Sequence, residues 1–173
     1  MKLLAGHVFR DHVLLGGLLA LFLLPLLGAG GSLMFWLATV LVDLDHYLHF
    51  LFCIRFKSFS PRLMLQFHEE VFRRRGRPEF FALEIFHTVE FLFLAGIVSF
   101  LIFPALRPLF WGMVFHLAID LVHLTRFGIF SKRTHSVVEY FWRRKKMHSE
   151  GKDPHSVFVE AAEAMGLSAP ETR

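Results

Sequence analysis

Four long apolar runs, residues 13–27, 33–52, 80–103 and 109–124, alternate along the chain with short turns or strongly basic segments. Each is about as long as a helix must be to cross a hydrocarbon core of about 30 Å, the last being rather short. Gly28-Ala29-Gly30-Gly31-Ser32 reads as an uncharged turn between the first two runs, and the stretch from Pro104 to Pro108 as the turn between the last two. Ser60-Pro61 reads as an N-cap with proline in the first turn, opening an amphipathic, basic helix over residues 61–75 suited to a membrane interface. A second interfacial helix is predicted over residues 134–147, where Val137, Val138, Phe141 and Trp142 adjoin Arg143-Arg144-Lys145-Lys146. Asp153-Pro154 marks the start of a short helix reaching about Met165, with Gly166 past its end; the tail from Ser168 reads as disordered. The pattern predicts an all-α polytopic membrane protein. Residues 1–130 form a domain of four transmembrane helices with an interfacial helix, and residues 131–173 a basic cytoplasmic or interfacial helical tail.

Composition strengthens this reading, since 54% hydrophobic residues and 22 Phe exceed what an ordinary soluble domain carries. The first run has a rival reading as a signal peptide, with Lys2 and Arg10 ahead of it and small residues behind; His7, Asp11 and His12 in the leading region favour a retained helix. The net charge of +4 is informative through its distribution rather than as a sign of nucleic-acid binding. Of 19 Lys and Arg, 2 precede the first run, 7 lie between the second and third, and 9 come after the fourth, leaving Arg107 alone on the other side. Both termini and the middle loop are therefore expected in the cytoplasm.

Ionisable groups interrupt the runs, and inside a membrane such groups are costly enough to point to function. Asp43, Asp45, His46 and His49 close the second run, Glu84, His87 and Glu90 fall in the third, and His116, Asp120 and His123 in the fourth. His7 and His12 precede the first, and His68 sits on the interfacial helix. Once the direction of each span is fixed, the clusters at all four runs lie toward the cytoplasmic side. On helices, His116, Asp120 and His123 span an arc of roughly 60°, Glu84, His87 and Glu90 roughly 120°, and the Asp43 to His49 cluster roughly 160°. The single cysteine, Cys53, excludes an internal disulfide and a Cys-rich metal site, so a metal would use nitrogen and oxygen donors. Imidazole with carboxylate suits zinc, manganese or iron, as one or two ions. Asp43, Asp45, His46, His87, His116 and Asp120 are the expected metal ligands and Glu84 or Glu90 the general base; His7, His12, His49, His68 and His123 are further candidates.

These residues resemble the bacterial membrane-bound metal-dependent hydrolase family, a group distantly likened to zinc-dependent phospholipase C. The resemblance rests on His7 before the first span, Asp43-Leu44-Asp45-His46 at the end of the second, His87-Thr88 in the third and His116 to Asp120 in the fourth, and covers about residues 1–130. It departs from the family at Val42, where a proline is usual, and at His87-Thr88, where a longer His-Arg-x-x-x-His-Ser stretch is usual. It implies metal-assisted hydrolysis in a bacterial inner membrane, on a lipid-borne phosphoester or ester reached from the cytoplasmic leaflet. Two rivals remain at this point. Asp43 with His46, Glu84 with His87 and Asp120 with His123 form three Asp/Glu-x-x-His pairs that would suit a di-iron lipid oxidoreductase. A metal or proton conductor is the other, although the outer halves of the runs are almost free of polar residues.

Overall fold

The computed structural model describes residues 4–167, which are helical with no strand among them. Eight α-helices succeed one another: α1 (Leu4–Phe22), α2 (Leu24–Leu41), α3 (Leu44–Cys53), α4 (Pro61–Arg73), α5 (Val89–Ile97), α6 (Arg107–Arg126), α7 (Val137–Ser149) and α8 (Ser156–Ala164). The expected disorder of the tail from Ser168 lies outside the described residues.

Helices α1, α2 and α6 make the apolar half, and glycine decides how closely they approach. A Cβ on Gly16 would lie 2.2 Å from Thr39 Oγ1, and one on Gly112 would lie 2.3 Å from the Phe35 carbonyl oxygen. Small residues at such crossings let backbones approach where lipid provides no hydrophobic drive between helices. Trp36 Nε1 donates to the Val13 carbonyl at 3.0 Å and pins α2 to α1. Gly28, with φ 67° and ψ 173°, interrupts α2 at the expected turn; its positive φ is one that glycine adopts readily.

A second core lies at the other end. Phe50 and Ile54, Phe67 and Val71, and Val157, Phe158 and Ala161 bury one another between α3, α4 and α8. Ser60 caps α4 by accepting from Leu63 N at 3.4 Å, as its sequence predicts. Ser136 caps α7, accepting from Val138 N and Glu139 N. Gly166 comes after α8 with φ 67°.

Two helical stretches, Leu24–Cys53 and Pro104–Arg126, are long and apolar enough to cross a membrane; Val89–Ile102 is apolar but shorter. The expectation of one helix over residues 80–103 is corrected here. Regular helix begins only at Val89, because residues 80–84 are irregular and Ile85–His87 form a single 3-10 turn. Local bonds explain the break: Thr88 Oγ1 accepts from Phe91 N at 3.3 Å, Thr134 Oγ1 donates to Ala82 O at 2.5 Å, and Val89 N donates to His135 O at 2.9 Å. Backbone groups that would pair along a helix pair instead with the segment before α7.

Candidate metal centre

The centre forms where α2 gives way to α3. Val42 and Asp43 interrupt the helical run, and Asp43, at the N-cap of α3, makes no capping bond with its side chain. Its carboxylate turns into the protein instead, with Oδ1 3.7 Å from His46 Nε2, 3.7 Å from His87 Nε2 and 3.6 Å from His116 Nε2.

The opposite nitrogen of each of these rings is held by an acceptor. His87 Nδ1 donates to Asp45 Oδ2 at 3.0 Å, His116 Nδ1 donates to the Thr39 carbonyl at 2.8 Å, and His46 Nδ1 lies 3.1 Å from Glu84 Oε1. A ring that donates from Nδ1 keeps its lone pair on Nε2, the arrangement in which histidines bind metals. Three lone pairs therefore converge on Asp43. His87 Nε2 and His116 Nε2 are only 3.0 Å apart, a spacing that a shared proton or a bound cation would satisfy. Asp120 Oδ2 joins from α6, 3.5 Å from His87 Nε2 and 3.7 Å from His116 Nε2. Bonds of about 2.0–2.1 Å to a tetrahedral zinc place its ligands about 3.3 Å from one another, so these spacings suit a small divalent ion. His and Asp groups here could hold a metal in two adjoining sets with no residue in common: Asp43, His46 and His87, and His12, His116 and Asp120.

His12 completes the deeper set. Its ring is fully buried and stacks on His116 with centroids 3.9 Å apart, while Nδ1 lies 3.3 Å from Asp43 Oδ2 and Nε2 3.2 Å from Asp120 Oδ1. Neither nitrogen forms a well-directed hydrogen bond. A buried imidazole so left is expensive unless a cation or a proton satisfies it.

Arg133 is the residue that sequence reasoning missed. It lies beyond α6 in a basic segment, yet its guanidinium enters the centre, donating to Asp120 Oδ2 at 2.7 Å and pairing with Glu84. Burial opposes its charge, but Glu84 and Asp120 outweigh that and raise its pKa above the usual arginine range. One Arg among the many of a basic run carries no sequence signal of its own.

The remaining candidates distribute around this group. Asp45 holds His87 from outside and also accepts from Phe86 N at 3.0 Å. Glu84 is engaged by His46 and Arg133. Glu90, expected as an alternative base, is engaged elsewhere: it accepts from Ser136 Oγ at 2.5 Å and from Val137 N at 3.1 Å, tying α5 to the start of α7. His123 lies 3.4 Å from Asp11 Oδ2, and Glu84 pairs with His46 and Arg133 while His87 pairs with Asp45, so among the described residues the i,i+3 spacings of Asp120 with His123 and Glu84 with His87 give no ion pair. His49 stacks edge-on against Phe158 and lies 3.5 Å from Cys53 Sγ. His7 is half-buried on α1 and belongs to neither metal-ready set. His68 donates from Nε2 to the His46 carbonyl at 3.1 Å; burial, and the neighbouring His46, push its pKa down to about 4.

A groove of about 210 Å³ opens beside the centre. Asp43, His46, Glu84, Asp120 and Arg133 line it, whereas His12, His87 and His116 do not. Most of its wall is apolar, from α1, α4, α6, Phe80 to Ala82, Ile129 and Phe158 of α8. No family model, no curated protein and no solved structure matches this chain.

Proposed function

We propose that the chain is a membrane-embedded, metal-dependent hydrolase acting on a lipid-borne phosphoester or ester, with zinc as the first candidate ion and manganese or iron as the others. The observation that carries this reading is the convergence of the Nε2 atoms of His46, His87 and His116 on Asp43 Oδ1, with every opposite nitrogen facing an acceptor. Such a set commits several buried polar groups to presenting lone pairs to one point, which makes sense if a cation is held there.

His46, His87, His116 and Asp43 would hold the ion. It would supply Lewis acidity toward a phosphoryl or carbonyl oxygen and lower the pKa of an attacking water. Asp120, which borders both the donor set and the groove, is placed to accept a proton, and Arg133 keeps that carboxylate ionised and oriented. Glu84, expected from sequence as the base, acts through His46 by holding its Nδ1, as Asp45 acts through His87. The two adjoining sets leave room for one ion or two.

Membrane embedding is supported by the two long apolar stretches and by large exposed side chains such as Leu18, Phe22, Leu26, Phe93 and Leu101. The charge distribution supports cytoplasmic termini, four crossings and a centre in the cytoplasmic leaflet of a bacterial inner membrane. Membership of the membrane-bound metal-dependent hydrolase family is part of the same proposal, resting on Asp43-Leu44-Asp45-His46, His87 and His116 to Asp120.

Elemental analysis of the protein in mild detergent, beside a His116→Ala, Asp120→Ala double variant, tests the reading. About one to two equivalents of zinc or manganese, absent from the variant, are expected. Stoichiometric iron in an oxidised, coupled state would favour the lipid oxidoreductase, and no metal in either protein would overturn both.

A further inference from the structure

The turn from α3 into α4 carries a feature that neither the metal centre nor the helix packing uses. Three phenylalanines stand in a row on its outside. The rings of Phe52 and Phe56 meet edge to face with centroids 5.2 Å apart, and those of Phe56 and Phe59 lie 6.3 Å apart. They are 66%, 47% and 64% exposed, so they form one continuous apolar ridge. The backbone beneath it is strained: Arg55 and Phe56 have φ of 52° and 57°, a left-handed conformation that residues with a Cβ adopt at a cost and bulky ones least readily. Phe56 N donates to the Leu51 carbonyl at 2.8 Å and Tyr47 Oη donates to the Phe59 carbonyl at 2.6 Å, so both ends of the turn are held to α3. A strained turn that presents large aromatic side chains outward is unfavourable in water on both counts, and such features point to use.

Charge says what covers the ridge. Arg55, Lys57 and Arg62 are exposed and alternate with the phenylalanines along the chain, and no acidic residue occurs over residues 46–68. By contrast residues 13–42, which include the exposed Leu33 and Leu37, carry no charge at all. The uncharged surface suits lipid tails, and the aromatic surface with cations suits the level of the headgroups. Position agrees. Phe52 belongs to the helical stretch Leu24–Cys53, whose 30 residues rise up to about 45 Å against a hydrocarbon core of about 30 Å. A crossing stretch of that length brings its C-terminal end, and the ridge with it, out of the hydrocarbon.

We infer that the ridge is an interfacial anchor for an anionic bilayer surface. Phe52, Phe56 and Phe59 enter the headgroup and upper acyl region, and Arg55, Lys57 and Arg62 hold anionic headgroups around them. The inference rests on the membrane-embedded part of the proposed function and is independent of the metal. Apolar burial and the negative potential of an anionic leaflet both favour this placement. The anchor also sets the height of α4, which starts at Pro61, two residues past Phe59, and whose Leu65 and His68 line the groove.

Cys53 is the single cysteine, so Cys53→Ala gives a background in which one fluorophore can be attached through Phe59→Cys or Leu33→Cys. The full chain is placed in phosphatidylcholine nanodiscs holding phosphatidylglycerol or phosphatidylcholine brominated near the headgroup, at the same low mole fraction, and quenching is measured at both positions. The Phe59→Cys label is expected to be quenched roughly fivefold more by the brominated phosphatidylglycerol, as one basic residue near an anionic surface gives, and the Leu33→Cys label equally by both lipids. That preference should vanish in the combined Arg55→Gln, Lys57→Gln, Arg62→Gln variant and at high salt, while quenching itself persists. Phe56→Gly, which relieves the strained turn and removes a ring, should lower quenching by both lipids. Equal quenching by the two lipids at Phe59→Cys would overturn the anionic assignment, and unchanged quenching in Phe56→Gly would overturn the ridge as the inserting element. Quenching at Leu33→Cys with none at Phe59→Cys would overturn the anchor and leave membrane embedding standing; a water-soluble quencher would then show whether the ridge faces solvent or a protein partner. Absence of lipid quenching at both positions would overturn the embedding itself.

Discussion

The two metal-ready sets differ in what surrounds them. His12, His116 and Asp120 are buried, on α1 and α6, whereas in the set of Asp43, His46 and His87 the Asp43 and His46 side chains are 17% and 24% exposed and border the groove. In the deeper set His12 stacks on His116 and both lie off the groove, while Asp120 reaches its lining. The outer set borders the groove through Asp43 and His46. Closed sites tend to serve structure and sites with an open position chemistry, so under the proposed reading His12 would carry stability and His46 reactivity, with His116 and Asp120 between the two.

The largest effect that could break this contrast is at Asp43, whose Oδ1 faces His46, His87 and His116 and whose Oδ2 faces His12. Asp43→Ala is expected to reduce bound metal to background in elemental analysis; retained metal would mean that the three imidazoles do not converge on an ion. The next pair separates the sides. His12→Ala should destabilise the protein by about 2–4 kcal/mol in detergent unfolding, through a buried cavity and newly unpaired carboxylates. His46→Ala should leave stability within about 1 kcal/mol of the parent while abolishing turnover. Reversed results would exchange the roles of the two sets. Asp45→Asn is expected to weaken metal binding roughly 10–100-fold in chelator competition, because it loosens the hold on His87 Nδ1 without removing a donor. Glu90→Gln should leave metal affinity unchanged and cost about 1 kcal/mol, as a tie between α5 and α7 that the centre does not use.

The smallest effect concerns α8, far from the deeper set. Arg77 hydrogen-bonds Glu160 at 2.5 Å and, with Arg74, holds its carboxyl below the usual range. A carboxyl whose folded pKa is lowered stabilises the fold above its unfolded value and loses that contribution as pH falls through the folded one. Exchange protection in α8, corrected for the intrinsic rate, should therefore fall as pH drops below the ordinary glutamate range, and Glu160→Gln should flatten that dependence.

Helical class was legible because long apolar runs with proline and glycine punctuation leave little else possible; Ser60, Gly28 and Gly166 mark boundaries the structure keeps. His46, His87, His116, Asp43 and Asp120 were legible too, since each interrupts an apolar run where an ionisable group has a cost to offset. The irregular course of residues 80–88 was not, because the apolar residues there suit a helix while Thr88, Thr134 and His135 draw the backbone into other bonds. Glu90 looked like part of the centre for the same reason: its spacing from His87 assumed a helix that has not yet begun at His87.

The sequence by itself determined that this chain is apolar, helical and rich in nitrogen and oxygen donors placed toward one end of its helices, because periodicity and burial cost act locally. Only the tertiary structure decided which donors meet. The break at Asp43, the entry of Arg133 from a basic segment and the stacking of His12 on His116 all depend on contacts between residues distant in sequence. Such contacts are set by how closely α1, α2 and α6 can approach at Gly16 and Gly112, and no local pattern encodes that distance.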